Sequence, residues 1–337
     1  MIVNRLYRPC QRYLVMLALL VSSGVCSGVC SGVAVAAEAG RQQVLVALPA
    51  LYAITAALSE GTALEVLRLP PDEAVPMESQ ADALARLNPA VFKDAAAVVT
   101  LSSLWRADPL YATARRHNLR IVQIDAARSW DVSQPGVAAT RAPSNDVPWA
   151  APRESEPGPS PYAWLGPVNA MRMAAIIAAD LERLAPTDAA RIQRNHTALD
   201  TRLRQLKANY GKQLVAVPDL RVLSLADEFI YLFGEFGIYV DGWFVKQDVE
   251  WTDEDLAALS RYLRERDIHV VVHKWQPQPR IAKAIEEGGA RLLVLDAGNP
   301  GLLARSSATY DALLSADLDA LLGAFAAPSP STAEIKP

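Results

Sequence analysis

The sequence predicts an α/β fold of two lobes, each a Rossmann-like parallel sheet flanked by helices, joined by a long helical spine. Three observations lead there. Short apolar runs of strand length alternate with helical stretches, and this happens in two separate series. Two longer helical stretches stand between the series, at 169–184 and 187–216. All three cysteines, Cys10, Cys26 and Cys30, lie in the first 37 residues. The remainder must therefore fold on its apolar core alone, and about 300 residues are ample for two lobes.

The first series opens with the apolar run Val44-Leu45-Val46-Ala47-Leu48, read as a buried strand. An Ala-rich helix follows over 52–59, then a strand over 64–69 that Pro70-Pro71 stops. Short helices are expected at 82–87 and 89–94, a strand at 97–101, a helix at 109–117 and a strand at 120–124. Residues 128–160 break the alternation with six prolines among Ser, Asn and Gly, which predicts a loop, partly disordered. In the second helical stretch Ile192, Leu199, Leu203 and Leu206 recur near helical spacing. The second series then runs strand 220–225, helix 227–236 ending at Gly237, strand 238–240, and a helix capped by Thr252 that runs to Arg266. Strand 268–272, helix 279–287, strand 292–295 and a helix over 302–325 complete it. The boundaries implied are 38–184 for the first lobe, 185–216 for the linking helix, 217–327 for the second lobe and 328–337 for a frayed tail.

Residues 1–37 read as an export signal. Arg5, Arg8 and Arg12 precede the apolar stretch 14–21, and Val35-Ala36-Ala37 places small residues before a cleavage point. A lipid anchor at Cys26 or Cys30 is disfavoured, because Val25 and Val29 stand where a lipobox wants Gly or Ala. Sec export to the periplasm is the expectation. Three of the 33 basic residues and none of the 37 acidic ones lie in this segment, so the rest is net −7. That balance disfavours nucleic acid and anionic membrane as partners. No Gly-x-Ser-x-Gly elbow, phosphate loop or His-rich constellation is present, and an enzyme is not expected.

Four segments carry a resemblance. The first is Pro161-Tyr162-Ala163-Trp164-Leu165-Gly166-Pro167-Val168-Asn169. The others are Asp227-x-Phe229-x-Tyr231 followed by Gly237, Gln276 with Pro279-Arg280-Ile281-Ala282, and Val294-Leu295-Asp296. Together they resemble the zinc- and manganese-type (cluster A-I, TroA-like) periplasmic solute-binding proteins of metal ABC transporters, over about residues 44–325. The resemblance implies a ligand cleft between the lobes, a stiff helical spine, zinc or manganese as the divalent metal ion bound, a membrane permease and an ATPase as partners, and a monomer.

In the resembled family four positions converge on the cation, and most are altered here. The first, a His, falls on Met77, which is either a soft ligand suited to Cu(I) or a loop-packing side chain. The second, also a His, falls on Tyr162, whose phenolate suits Fe(III) whereas a neutral phenol suits packing. The third falls on Ala226, which binds nothing. Its neighbours Asp227 and Glu228 offer a shifted carboxylate or a helix cap. The fourth is retained as Asp296, at the crevice end of a strand where α/β proteins bind ligands, although Asp there also makes turns. Asp296, Tyr162 and Glu228 are thus the candidate metal-holding residues. His273 ends a strand beside Lys274, where the family often carries Glu. Met77, Glu78, Trp105, Arg106, Tyr162, Asp227, Glu228, His273, Lys274, Trp275 and Asp296 make up the candidate cleft, a mixed aromatic and charged set. The expectation is a solute-binding protein of the metal-uptake type. The alternatives are a paralogue that has lost the divalent site and binds a metal chelate or small organic ion, or a scaffold.

Overall fold

The computed structural model describes residues 42–71, 74–151, 156–305 and 307–327. The expected export signal and the expected tail lie outside the described residues. Among the described residues no helix is long and apolar enough to cross a membrane.

The first lobe carries β1 (Gln42–Val46), α1 (Pro49–Ser59), β2 (Leu64–Arg68), α2 (Gln80–Ala85), α3 (Ala90–Lys93), β3 (Ala95–Thr100), α4 (Leu110–His117) and β4 (Val122–Asp125). All pairings are parallel, in the order β2-β1-β3-β4. Helices α5 (Pro167–Leu184) and α6 (Ala189–Val215) follow. The second lobe carries β5 (Arg221–Ser224), α7 (Ile230–Phe236), β6 (Tyr239–Trp243), α8 (Asp253–Arg266), β7 (Val270–His273), α9 (Pro279–Glu287), β8 (Arg291–Val294) and α10 (Tyr310–Ala326). Its strands are again parallel, in the order β6-β5-β7-β8. The two sheets therefore repeat one topology. Each reverses direction of winding next to its first strand, between β1 and β3 and between β5 and β7, and ligands of open α/β sheets bind beyond the strand ends at such points.

The strand period of two explains the layering. Val44 and Val46 of β1 enter a central core, while Leu45 enters a smaller cluster with Phe92, Val98 and Ile121. In the second lobe Val222, Val270 and Val272 enter the same central core, and Leu223 and Val271 face a separate cluster with Leu259 and Ile281. Met173 and Ile177 of α5, Leu199 and Leu203 of α6, and Leu314 and Leu318 of α10 are fully buried in that central core. One core thus runs beneath both sheets. Helix α6 is the spine, 27 residues long, or about 40 Å at helical rise. Its expected apolar stripe, Ile192, Leu199, Leu203 and Leu206, is buried throughout.

Local details follow the sequence closely in places. Thr252 forms a full capping box: its Oγ1 accepts from Asp255 N–H at 3.2 Å, and Asp255 Oδ2 accepts from Thr252 N–H at 2.9 Å. Gly237 ends α7 at φ +68, a conformation glycine adopts without strain.

Elsewhere the structure departs from expectation. Helix α7 starts at Ile230, so Asp227 and Glu228 lie in the turn before it and do not cap it. The helix expected over 302–325 is broken into a short 3-10 turn, Gly301–Ala304, and α10. Gly301 sits at φ +48 there. The strand expected over 268–272 runs instead from Val270 to His273, beginning just beyond the turn that closes α8. The Pro-rich loop is pinned where it is described. Tyr231 Oη accepts from Thr140 N–H at 2.9 Å and donates to Ser160 O at 3.0 Å. Asn145 and Asp146 accept backbone N–H groups of Val245 and Trp243 at 2.7 and 2.6 Å.

Candidate functional site

The segment 161–169 holds its place through its own polar groups. Pro167 begins α5 at a position that needs no N–H. Glu235, reaching over from α7, accepts the free Val168 N–H at 3.1 and 3.0 Å and pairs with Lys207 at 3.2 Å. Gly166 lies directly beneath that carboxylate: a Cβ there would come within 2.6 Å of Glu235 Oε1, so the Glu235 side chain would have to shift. Trp164, fully buried, donates from Nε1 to Ala297 O at 2.9 Å, and its own carbonyl accepts the Tyr310 hydroxyl. Asn169 accepts from and donates to the Ala138 backbone at 2.9 and 3.1 Å. The segment is a junction between α5, α7 and the loops after β8.

Tyr162 projects from this junction. Its side chain is buried and meets Trp164 edge to face at 5.1 Å. Burial pushes its phenol far above the ordinary range, and the carboxylates of Glu228, Glu78 and Asp227 push it further. The hydroxyl therefore stays protonated, which suits a hydrogen-bonding group and not an anionic metal ligand.

Glu228, in the turn after β5, is 2% exposed. One of its oxygens pairs with the Lys274 ammonium, and Oε2 has no hydrogen-bond partner among the described residues. Burial raises the Glu228 carboxyl, and the Lys274 charge pulls it back. The ammonium also lies 4.6 Å from the centre of the Trp275 ring. A cation is thus already placed against this carboxylate, supplied by the chain.

His273 is buried at the end of β7. Its Nδ1 accepts the Lys274 N–H at 2.8 Å, and Nε2 stands 3.7 Å from Asp248 Oδ1. Burial lowers its pKa to about 4, against the opposing pull of Asp248. The ring is neutral at pH 7. With Nδ1 accepting, Nε2 carries the proton, and neither nitrogen presents a free lone pair.

Asp296, after β8, organises its own loop. Oδ1 accepts from Gly298 N–H at 2.8 Å and Oδ2 accepts from Leu302 N–H. Gly301 packs so closely that an added Cβ would meet Oδ1 at 1.7 Å. The Asp296 N–H donates to Asp317 Oδ1 at 2.8 Å. Asp317 is buried, which raises its carboxyl to about 8, its backbone hydrogen bond opposing and the Asp296 charge adding to the rise.

Met77 is 4% exposed and belongs to the central core. Its backbone N–H donates to Asn299 Oδ1 at 2.8 Å. Asn299 is the residue that reading the sequence missed. From the loop after β8 it also reaches Tyr162 Oη at 3.4 Å and Glu78 Oε2 at 3.5 Å, tying the two lobes together. The only signal was its place in Asn299-Pro300-Gly301, which reads as a turn.

The structure thus brings Tyr162, Glu78, Asp227, Glu228 and Lys274 into one neighbourhood. Among the described residues no three His, Cys, Asp or Glu side chains form a metal-holding group. The three candidate metal residues are otherwise engaged: Asp296 with backbone N–H groups, Glu228 with Lys274, and Tyr162 as a neutral phenol. This arrangement does not fit a bare divalent ion.

The family model for ZnuA, zinc-uptake complex component A periplasmic, matches residues 57–324. Among solved structures, the SBP FpvC from Pseudomonas aeruginosa in complex with Mn2+ is 20% identical with a TM-score of 0.64, covering 85% of this chain and 98% of that one. The Zn(II)-bound ZnuA-like domain of Streptococcus pneumoniae AdcA is 16% identical with a TM-score of 0.63, covering 85% and 99%. A crystal structure of ZnuA is 17% identical with a TM-score of 0.62, also covering 85% and 99%. At these identities the likeness shows the two-lobed fold. No curated protein matches the chain.

Proposed function

The chain belongs to the zinc-uptake complex component A periplasmic family, and from that premise we propose that it captures a solute in the cleft between its lobes for delivery to the permease and ATPase of an ABC importer. The family is one of solute-binding proteins and not an enzyme class. The solute is a metal chelate or a small organic ion in place of bare zinc or manganese, and the protein works as an exported monomer.

One observation carries the choice of solute: the Lys274 ammonium pairs with Glu228, the most deeply buried of the candidate cleft carboxylates. A divalent ion entering there would have to displace a tethered cation and face its charge at close range. The cost of two cations about 4 Å apart is several kcal/mol even at an effective dielectric of 20. Trp275, half exposed beside Lys274, adds a face suited to an organic group.

Thermal unfolding of the processed protein tests this. Zinc and manganese at about 100 μM are expected to leave the melting temperature unchanged. A panel of metal chelates and organic ions should contain one that raises it, by the equivalent of about 2.7 kcal/mol at a hundredfold excess over Kd. A rise of several degrees with either bare metal would sink the chelate reading. If no solute shifts the transition, the scaffold reading takes its place. That second reading is favoured by Asn299, which joins the lobes directly through Met77 and Tyr162.

A further inference from the structure

The Pro-rich loop begins with an exposed aromatic that the cleft does not use. Trp130 is 75% exposed, and Val132 beside it is fully exposed. Such side chains cost little singly but cluster where something binds. Here they border a cavity of about 400 Å³ at the carboxyl ends of β3 and β4, lined also by Ser103, Gln123, Asp125 and Arg128. That volume lies in the range of small-molecule sites. None of its lining residues belongs to the interlobe cluster. Trp130 also borders a second cavity, of about 450 Å³, against Val122, Asp180 and Leu184, so its ring is flanked by space.

The polar groups of the first cavity reveal what it lacks. Asp125 Oδ2 accepts from Ser103 N–H and Oγ–H at 2.9 and 2.5 Å, and Oδ1 accepts from Ala127 N–H at 3.0 Å. Gln123 donates to Thr100 Oγ1 and Ser102 Oγ at 3.1 and 2.9 Å. Ser129 donates to Gln134 at 2.9 Å. The carboxylate is thus spent on the loops after β3 and β4. Arg128 is the exception: it is exposed, and its guanidinium has no hydrogen bond or ion pair among the described residues. The indole is steadied by a long hydrogen bond from Nε1 to Gln123 O, 3.4 Å. What remains unanswered is a forked cation beside an aromatic face.

We propose that this corner binds a planar aromatic carboxylate, its ring against Trp130 and its carboxylate on the Arg128 fork. A guanidinium matches a carboxylate in two parallel hydrogen bonds, and an indole offers a large stacking area at little entropic cost. The site stands apart from the reading of the cleft and survives whether or not that reading does.

Isothermal titration calorimetry of the full chain with 2-naphthoate tests it. The wild type binds. Arg128→Gln and Trp130→Ala each weaken binding about tenfold or more, which is the loss of roughly one such contact, while Trp130→Phe keeps most of it. The neutral 2-naphthamide binds at least tenfold more weakly than the acid. Both substituted side chains are on the surface, and circular dichroism checks that the variants fold. The proposal is overturned if the wild type does not bind 2-naphthoate. It is equally overturned if Arg128→Gln and Trp130→Ala bind as the wild type does, or if 2-naphthylmethylammonium binds in preference to the acid.

Discussion

Lys274 and Glu228 form a pair that works only while both are present. Glu228 is buried and Lys274 side-chain exposure is 27%, so removing the ammonium strands a carboxylate with one oxygen already unpartnered among the described residues. Lys274→Met is expected to lose about 2–3 kcal/mol in urea unfolding, somewhat below the range for a fully buried pair. The double variant Lys274→Met with Glu228→Gln should recover most of that loss, since no stranded charge remains. Equal losses in the single and double variants would mean that the pair is not coupled. Lys274 was legible in the sequence, because it stands where the resembled family often carries Glu. Tyr162 was legible likewise, since it stands where the resembled family carries a His. The engagement of Asp296 was not, since an Asp after a strand reads alike whether it faces a ligand or gathers its own loop. Nor was Asn299, whose contacts with Met77 and Tyr162 arise only when loops far apart in the chain meet.

At the scale of elements, strands and long helices declared themselves through period. The turns between them did not, and the site is made of turns. The apolar series after residue 301 reads as one helix, yet only a 3-10 turn, Gly301–Ala304, forms at its start, where Asp296 accepts the Leu302 N–H and Gly301 takes a left-handed conformation. Helix α10 then starts at Tyr310 and delivers Asp317 beneath the same loop. This junction has a signature in pH. In the unfolded chain Asp317 titrates near 4, whereas in the fold it titrates near 8. Between those values the unfolded chain has released the proton and the fold retains it. Stability is therefore greatest below about pH 4 for this group and falls as pH rises toward 8. From pH 5 to 8 the loss is about 4 kcal/mol at most, at ~1.4 kcal/mol per unit. Asp317→Asn removes this slope. His273, lowered to about 4, contributes an opposite slope from about pH 4 to 6.5. It is common to both proteins and cancels in the comparison. Urea midpoints at pH 5 and pH 8 measure it, and parallel profiles for wild type and Asp317→Asn would refute the assignment.

At the scale of the whole molecule, two sheets of one topology invite the picture of two domains that open on a hinge. The packing favours a different one. Helices α5, α6 and α10 put Ile177, Leu203 and Leu314, each with no exposed surface, into the same core that takes Val44 from the first sheet and Val272 from the second. Asn299, Trp164 and Tyr310 then cross between lobe and loop with hydrogen bonds. A shared core couples the lobes energetically, because neither can unfold without exposing apolar surface that the other also covers. Single transitions are usual for small domains and are often lost in two-domain chains. Here one is expected despite the size. Calorimetric and van't Hoff enthalpies should agree, and near-ultraviolet signals from Trp105 in the first lobe and Trp251 in the second should melt together. Leu203→Ala removes a fully buried side chain from the spine at a cost of about 2–5 kcal/mol. It should lower the melting of both lobes by the same amount. Two resolved transitions, or a shift confined to one lobe, would show that the lobes fold independently and that the spine is a hinge.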